Sequence, residues 1–427
     1  MRIALQSFGC RLNQAEADAF AAEFAAIDWA IVGDSPHADV VVIHSCAVTR
    51  NAEQECLRLC RRLARRAPKP FVVLSGCVPE AAARDALTAA GVSLIIPRTE
   101  RDTLVARVAG ACAAAADPPH AVFPFPARRA VPHRTRPFLK IQDGCDFYCT
   151  YCIVPHTRGL PVSRPFEVCL REAQAFIGGG AREIVITGCN TARYADAGRA
   201  LPDLLRALAA TPGIGRLRLG SIEPGTVEEA IADLMANNPA ICRQLHLPLQ
   251  SGDADILRAM GRRYTPADYR AAAEYALDRV PDLGLGTDII TGFPGETDKQ
   301  FEHTRRCIAT LPFSNLHVFP YSERPGTPAA RLPDPIPPAV RKARAAELIT
   351  IGESNRRRFA RTFIGKPVTC LIERFDAHGA ACGWSGAYLP CRVSGVDRAA
   401  LGECVTFTPD TAEGDTLNGS SAPRNSM

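Results

Sequence analysis

The stretch GCDFYCTYC sets Cys145, Cys149 and Cys152 in a C-x3-C-x2-C loop. Three thiolates on so short a loop suit three irons of a 4Fe-4S cluster and leave the fourth iron open to an outside ligand. A zinc site would need a fourth protein ligand, and no nearby Cys or His has an obvious spacing for it. Cys10, Cys46 and Cys77 each follow a short apolar run: IALQ before SFGC, then VVVIHSC, then VVLSGC. If those runs are parallel strands, their ends share one rim, so residues far apart in sequence converge there. A second triad with an open iron is then expected at that rim. The other cysteines read differently. Cys56 and Cys60 stand at i and i+4 on a helical pattern continuing through Leu63 and Ala67, which is a core stripe. Cys112, Cys169, Cys242 and Cys307 fall in apolar helical or loop contexts, and Cys370, Cys391 and Cys404 on short strands; all read as packing residues. Cys189 ends a strand and faces the presumed site.

The background supports metal over disulfides. The chain has 427 residues, 47% of them hydrophobic and 22% charged, enough for several cores. No apolar run approaches the roughly eighteen residues of a membrane span, and MRIALQSFGC lacks the regions of a signal peptide, so a cytoplasmic location is expected and no membrane partner. In that compartment thiols stay reduced, and seventeen cysteines do not form a disulfide framework. The net charge of +5 permits a nucleic-acid partner. Local runs say more: Arg61, Arg62, Arg65, Arg66 and Lys69, then Arg128, Arg129, Arg134 and Arg136. Such runs also occur as plain solvated faces.

The elements that must position these residues fall into an α/β class with three parts. Residues 1–115 alternate short apolar strands (Arg2–Gln6, Val40–His44, Phe71–Ser75) with helices (Gln14–Ile27, Glu53–Ala67), the grammar of a parallel sheet. A basic, Pro-rich linker covers 116–137. In 138–360, six strand candidates (Phe138–Ile141, Glu183–Thr187, Arg216–Gly220, Gln244–Leu249, Leu285–Ile290, Leu316–Tyr321) alternate with helices, suggesting a partial (β/α)6 barrel with its site at the strand C-terminal ends. A helix from Val340 to about Phe359 leads to 361–410, whose short strands and turns suggest a small β-barrel. Residues 411–427 read as a polar tail.

At the ends of the six strands stand Thr187, Gly188 and Asn190, then Ser221 and Glu223, then Gln250, Ser251 and Gly252, then Asp288 and the run Thr291 to Glu296. A strand buried on both faces has little use for Glu223 or Gln250 in its interior, so these are expected to face a cavity; capping of neighbouring helices is the plainer alternative.

The loop CDFYCTYCIVPHTRG resembles the cluster loop of the radical S-adenosylmethionine methylthiotransferases. FGCRLNQAEAD, HSCAVTRNAE and SGCVPE resemble their N-terminal domain, and SIEP, HLPLQSG and TDIITGFPGET resemble their later motifs in the same order. The resemblance implies two 4Fe-4S clusters. Cys145, Cys149 and Cys152 would hold the one that binds and cleaves S-adenosylmethionine; Cys10, Cys46 and Cys77 would hold an auxiliary one carrying the sulfur to be transferred. It also implies that Tyr151 packs near the adenine, that Thr187, Asn190 and Ser221 belong to the cofactor site, that Glu223 and Gln250 contact ribose or the methionine portion, and that Gly292, Phe293 and Pro294 shape the adenine pocket. His44 and Ser45 replace the family's Asn-Thr before the second rim cysteine, which puts the surroundings of that cluster in question but not its ligands. The C-terminal strands resemble the RNA-binding TRAM barrel, with Lys366, Arg374, Trp384 and Arg392 as exposed candidates.

The activity implied is radical methylthiolation of a tRNA nucleoside in the anticodon stem-loop, with an electron-donor protein as partner, a second S-adenosylmethionine supplying the methyl, and no role for DNA. CRLNQAE and CAVT, with Thr49 where the isopentenyladenosine group usually has Arg, look more like the group acting on N6-threonylcarbamoyladenosine. Isopentenyladenosine and a ribosomal-protein aspartate are the family's other substrates, and a non-catalytic RNA-binding protein with structural metal is the rival of another class. A threonylcarbamoyl carboxylate would need a cationic partner, for which Arg158, Arg193 and Arg324 are candidates.

Overall fold

The computed structural model describes residues 1–33, 37–114 and 134–421. Arg128 and Arg129, most of the 116–137 linker and the last six residues lie outside them. Two compact units are present: Met1–Arg134 with Asp143–Leu160 and Glu323–Ala330, and Thr135–Gln142 with Pro161–Ser322 and Arg331–Met427. The cysteine loop therefore belongs to the first unit, although its place in the sequence is inside 138–360.

In the first unit, β1 (Arg2–Ser7), β2 (Ala30–Ile31), β3 (Val40–Ser45), β4 (Phe71–Gly76) and β5 (Leu94–Ile95) form a parallel sheet in the order β2-β1-β3-β4-β5. β3, VVVIHS, is buried along its whole length, as a β-branched strand covered on both faces should be. Alternate residues feed two cores. Val41, Ile43, Leu74, Cys56 and Cys60 pack on one face; Val40, Val42, Val73, Phe20 and Phe24 pack on the other. Helix α1 (Arg11–Ala26) follows β1, and α2 (Arg50–Ala64) follows β3. Thr49 caps α2 by accepting a hydrogen bond from the Ala52 amide at 3.2 Å, so this helix starts three residues before the Glu53 expected from the apolar stripe.

In the second unit, strands Phe138–Lys140, Glu183–Thr187 and Arg216–Arg218 form one parallel set, and Gln244–His246, Gly284–Thr291 and Phe313–Pro320 another. Single bridges Leu217–Ile241 and Ser221–His246 join the sets, giving six strands in sequence order, the partial (β/α)6 barrel anticipated above. Its core gathers Leu139, Ile184, Leu217, Leu245, Leu285 and Ile289 with Leu204, Leu205, Ile231 and Ile308 of the covering helices.

A helix from Pro338 to Arg361 leads to a closed five-stranded barrel of Val368–Phe375, Ala381–Ser385, Pro390–Ser394, Cys404–Glu413 and Thr416–Ser420. This corrects the expected tail. Residues up to Ser420 complete the barrel, Thr416–Ser420 pairing with both Pro390–Ser394 and Cys404–Glu413. Leu417 alone of this strand is a large apolar side chain in the core, so a polar sequence conceals a strand whose contribution is mostly backbone hydrogen bonds. Within this unit, buried Glu183 accepts from Arg216 at 2.5 Å and Arg218 at 2.6 Å, and both arginines also donate to barrel carbonyls: Arg216 to Trp384 at 2.7 Å, Arg218 to Ser385 at 2.9 Å. Burial pushes the Glu183 carboxyl up, but the two guanidinium groups win and lower it to about 2.

Candidate active site

The rim triad is assembled by strand register. Ser7 pairs with His44 and Ser45 with Gly76, so Cys10, Cys46 and Cys77 all lie just past the last paired residues of three adjacent strands. Gly9 has a φ of 86°, and a Cβ there would come within 2.6 Å of the Cys46 Cβ and Sγ; only glycine lets the first loop approach the second cysteine so closely. Asn13 ties the two loops from inside. Its Nδ2 donates to the Phe8 carbonyl at 2.8 Å and to the Ser45 carbonyl at 2.9 Å. Ser45 holds the third loop, its Oγ accepting from the Val78 amide at 3.2 Å. Burial pushes the Cys46 thiol up to about 11, with Cys77 and Cys10 adding to the rise, so ligation of a metal there would be coupled to loss of this proton.

The contiguous triad sits on a loop pinched at its neck. The Cys145 amide donates to the Gly159 carbonyl at 2.9 Å, and a Cβ on Gly144 would lie 2.0 Å from the Leu160 carbonyl. Inside the loop the Cys152 amide donates to the Cys149 carbonyl at 2.9 Å. Cys149 is buried, while Cys145, Tyr151 and Cys152 are half-buried. Among the described residues no cysteine is in a disulfide, so both triads retain thiols, the donor chemistry that a cluster of iron and sulfide needs.

One buried polar network braces both triads, and most of it was not foreseen. Arg158, at the end of the cysteine loop, donates to Asn13 Oδ1 at 2.5 Å, to Glu16 at 2.8 Å and to Asp143 at 2.9 Å. Glu16 also accepts from Arg101 at 2.9 Å and meets His44 Nε2 at 2.8 Å. His44 therefore has a defined place: it answers a buried carboxylate, and burial lowers its pKa. The role entertained for Arg158 as partner of a substrate carboxylate is corrected here, because it is buried and both its terminal nitrogens are spent on Asn13, Glu16 and Asp143. The signal available in sequence was the acid in NQAEAD, which is out of place on a buried helix face unless a cation meets it.

The six-strand unit places the other candidates as follows. Thr187 and Asn190 are buried at the end of Glu183–Thr187, with the Asn190 amide donating to Gln142 Oε1 at 2.9 Å. Ser221 is exposed and bridges to His246; Glu223 pairs with Arg262, and burial holds its carboxyl above the ordinary range despite that cation. Gln250 has a left-handed φ of 68°, held by hydrogen bonds with Asp288 and Ile290 backbone at 2.8 and 2.9 Å. Phe293 is fully buried edge-to-face on Tyr321, so it shapes this turn from the core side; Gly292 donates to Glu296 at 2.8 Å, Arg344 clamps Glu296, and Pro294 is buried beside them. Asp288 accepts from both His246 and His317 at 3.1 Å, and these rings hold its carboxyl well below the usual range against the effect of burial. The two histidines were missed; strand alternation puts them on the face opposite Leu245 and Leu285.

The remaining expected residues scatter. Cys56 and Cys60 are fully buried in the sheet core, their thiols raised by burial to about 12 and about 11. Arg61, Arg62 and Arg65 are exposed, whereas Arg134 pairs with Asp18 and Arg136 with Glu373. On the small barrel Lys366 pairs with Asp282 and Arg392 with Asp376; Trp384 stacks on Tyr388, and Arg374 is exposed. Arg193 is exposed on a short turn, and Arg324 is buried against Glu53. No helix among the described residues is long and apolar enough to cross a membrane.

Comparison with known proteins bears on the whole arrangement. Residues 139–308 match the Radical SAM superfamily, and residues 2–96 match a family described as Uncharacterized protein family UPF0004. The chain is 31% identical to a threonylcarbamoyladenosine tRNA methylthiotransferase, MtaB, of Thermotoga maritima over 91% of this chain and 90% of that one. It is 34% identical to a tRNA-2-methylthio-N(6)-dimethylallyladenosine synthase of Novosphingobium aromaticivorans over 97% and 96%. Among solved structures, the radical S-adenosylmethionine methyltransferase TsrM of Kitasatospora setae superposes with a TM-score of 0.58 at 14% identity over 77% of each chain, a likeness of fold. Relatives aligned over nearly the full length, together with a loop of three cysteines between the first and second of the six central strands, make this chain an enzyme of the radical S-adenosylmethionine methylthiotransferase family, whose chemistry uses a 4Fe-4S cluster and S-adenosylmethionine.

Proposed function

We propose that the enzyme methylthiolates tRNA, converting N6-threonylcarbamoyladenosine next to the anticodon into its 2-methylthio derivative. The observation that carries this reading is the gathering of two thiol triads in one compact unit, braced by one buried network through Asn13, Glu16 and Arg158. Cys145, Cys149 and Cys152 fit the cluster that the family requires, and Cys10, Cys46 and Cys77 fit a second. When bound, the first supplies one-electron cleavage of S-adenosylmethionine to a carbon radical, and the second carries the sulfur to be transferred.

The chain's own contribution is positioning. Asn13 joins the Cys10 loop to the end of β3, and Arg158 fixes the cysteine loop to that same Asn13, so the spacing of the two triads is set by hydrogen bonds rather than by flexible loops. Thr187, Asn190, Ser221, Glu223, Gln250 and the Gly292–Pro294 turn, with Tyr151 on the cysteine loop, are assigned to S-adenosylmethionine. The C-terminal barrel is assigned to RNA, an electron-donor protein is required, and the setting is the cytoplasm, with no membrane or DNA partner. The substrate assignment is supported by CRLNQAE, by Thr49 and by the relative named for threonylcarbamoyladenosine; the dimethylallyladenosine relative supports the second reading. The test is anaerobically reconstituted enzyme offered both modified tRNAs in competition, with nucleosides read by mass spectrometry. A methylthio product on threonylcarbamoyladenosine is expected. Product only on isopentenyladenosine would overturn the substrate assignment, and no methylthio product on either would overturn the function.

A further inference from the structure

A cavity of about 590 Å³ in the first unit has no part in the triads or their bracing network. One wall is a stripe of α2, where Arg50, Leu57, Arg58 and Arg61 recur at helical spacing; the other is the segment Glu323–Pro325. Four guanidinium groups line it against the carboxylates of Glu53 and Glu323, so its interior is cationic. Arg324 is the centre of the case. Its side chain is 3% exposed and gives one nitrogen to Glu53 at 2.5 Å, yet its Nε is buried without a hydrogen-bond partner. Glu53 thus answers Arg324 only in part, and among four guanidinium groups and two carboxylates the favoured occupant of the cavity is an anion.

The cavity's walls are continuous with both thiol loops. α2 begins four residues after Cys46. The opposite segment is tied to the cysteine loop by the Ala329 amide, which donates to the Thr150 carbonyl at 2.8 Å. We propose that this cavity receives the threonine carboxylate on the N6 arm of the substrate adenosine, an inference that rests on the reaction proposed above. The volume suits a small side arm rather than a single ion. Backbone phosphates would be met by the exposed Arg50, Arg58 and Arg61, whereas the carboxylate is assigned to Arg324, the buried cation at the inner wall.

The experiment measures binding of anticodon stem-loops to reconstituted holoenzyme, with the adenosine bearing the threonylcarbamoyl group, its carboxamide analogue, or no modification. The carboxylate form is expected to bind roughly tenfold more tightly than the carboxamide, the size of one charge-assisted hydrogen bond. Arg324→Met should abolish that preference. Because it leaves the half-buried Glu53 without its cation, the pair Arg324→Met with Glu53→Gln is measured beside it, along with the exposed variants Arg58→Met and Arg61→Met, which should shrink the preference; iron content and thermal melting verify folding. Equal binding of carboxylate and carboxamide by the unaltered enzyme would overturn the subsite. So would variants that weaken all three stem-loops by one factor, the mark of a phosphate contact. Carboxylate-selective binding without methylthio product would instead sink the reaction proposed above and leave the subsite standing.

Discussion

The two thiol triads are held by different means. Cys145, Cys149 and Cys152 lie on a single loop closed at its neck by Gly144 and Gly159, so their grouping is local and does not depend on the register of the sheet. Cys10, Cys46 and Cys77 come from three loops joined only through the sheet, and their grouping depends on the register of β1, β3 and β4 and on the Asn13 tie. A local site costs little to preform; a site built from three strand ends exists only when the sheet does. The comparison teaches that the rim triad should respond to changes in packing that leave the loop triad untouched.

The sharpest way to break this distinction is to remove thiols. Alanine at Cys145, Cys149 or Cys152 should abolish formation of 5′-deoxyadenosine from S-adenosylmethionine, measured by chromatography. The triple alanine variant at Cys10, Cys46 and Cys77 should lower iron content by about one four-iron cluster while 5′-deoxyadenosine still forms. If the rim variant also lost that product, the division of labour would fail.

A smaller but still severe effect is expected at the shared brace. Glu16→Gln or Arg158→Met leaves buried charge without its partner, at a cost of about 3–5 kcal/mol in denaturant unfolding. Iron content should fall at both triads. Asn13→Ala should cost less, about 1–3 kcal/mol, and its loss of iron should fall mainly on the rim triad, since the loop's own neck bonds remain. Equal loss from both triads would erase the contrast drawn between them.

Acid gives an independent control in the second unit. Glu183 is lowered to about 2 by Arg218 and Arg216 against burial, from an ordinary 4.5. A depressed carboxylate contributes stability above its unfolded pKa and loses it as pH falls through the folded value, so the seat of the C-terminal barrel should weaken between about pH 4.5 and 2. Tryptophan fluorescence, to which Trp384 contributes, should follow this transition, and Glu183→Gln should flatten it. A fluorescence change at neutral pH in the unaltered protein would show that another group governs the contact.

The smallest effect is reserved for Cys56→Ala and Cys60→Ala. Iron content should not change, and stability should fall by about 1 kcal/mol for each lost core sulfur. Iron loss from either variant would mean that the rim site reaches further down α2 than the strand register places it.

Sequence alone determined the chemistry-bearing residues and the class of fold. The C-x3-C-x2-C spacing is a local fact, and the β-branched runs before Cys46 and Cys77 announce buried parallel strands whose ends must meet. The helix–strand alternation likewise placed all six central strands to within three residues, because each carries its own apolar stripe. Tertiary structure decided what lies between such elements. The arginine partners of Glu16 are 85 and 142 residues away, and nothing in NQAEAD says which cations will reach it. Arg324 and Glu53 meet across 271 residues, so the cationic cavity exists only in the folded chain. The closing strand Thr416–Ser420 was invisible for a related reason: its stabilisation lies in ladder hydrogen bonds with two neighbours, and backbone groups are the same in every sequence. Side-chain pattern records which face a segment buries; long-range polar pairing and the last strand of a barrel are fixed by partners that the pattern does not name.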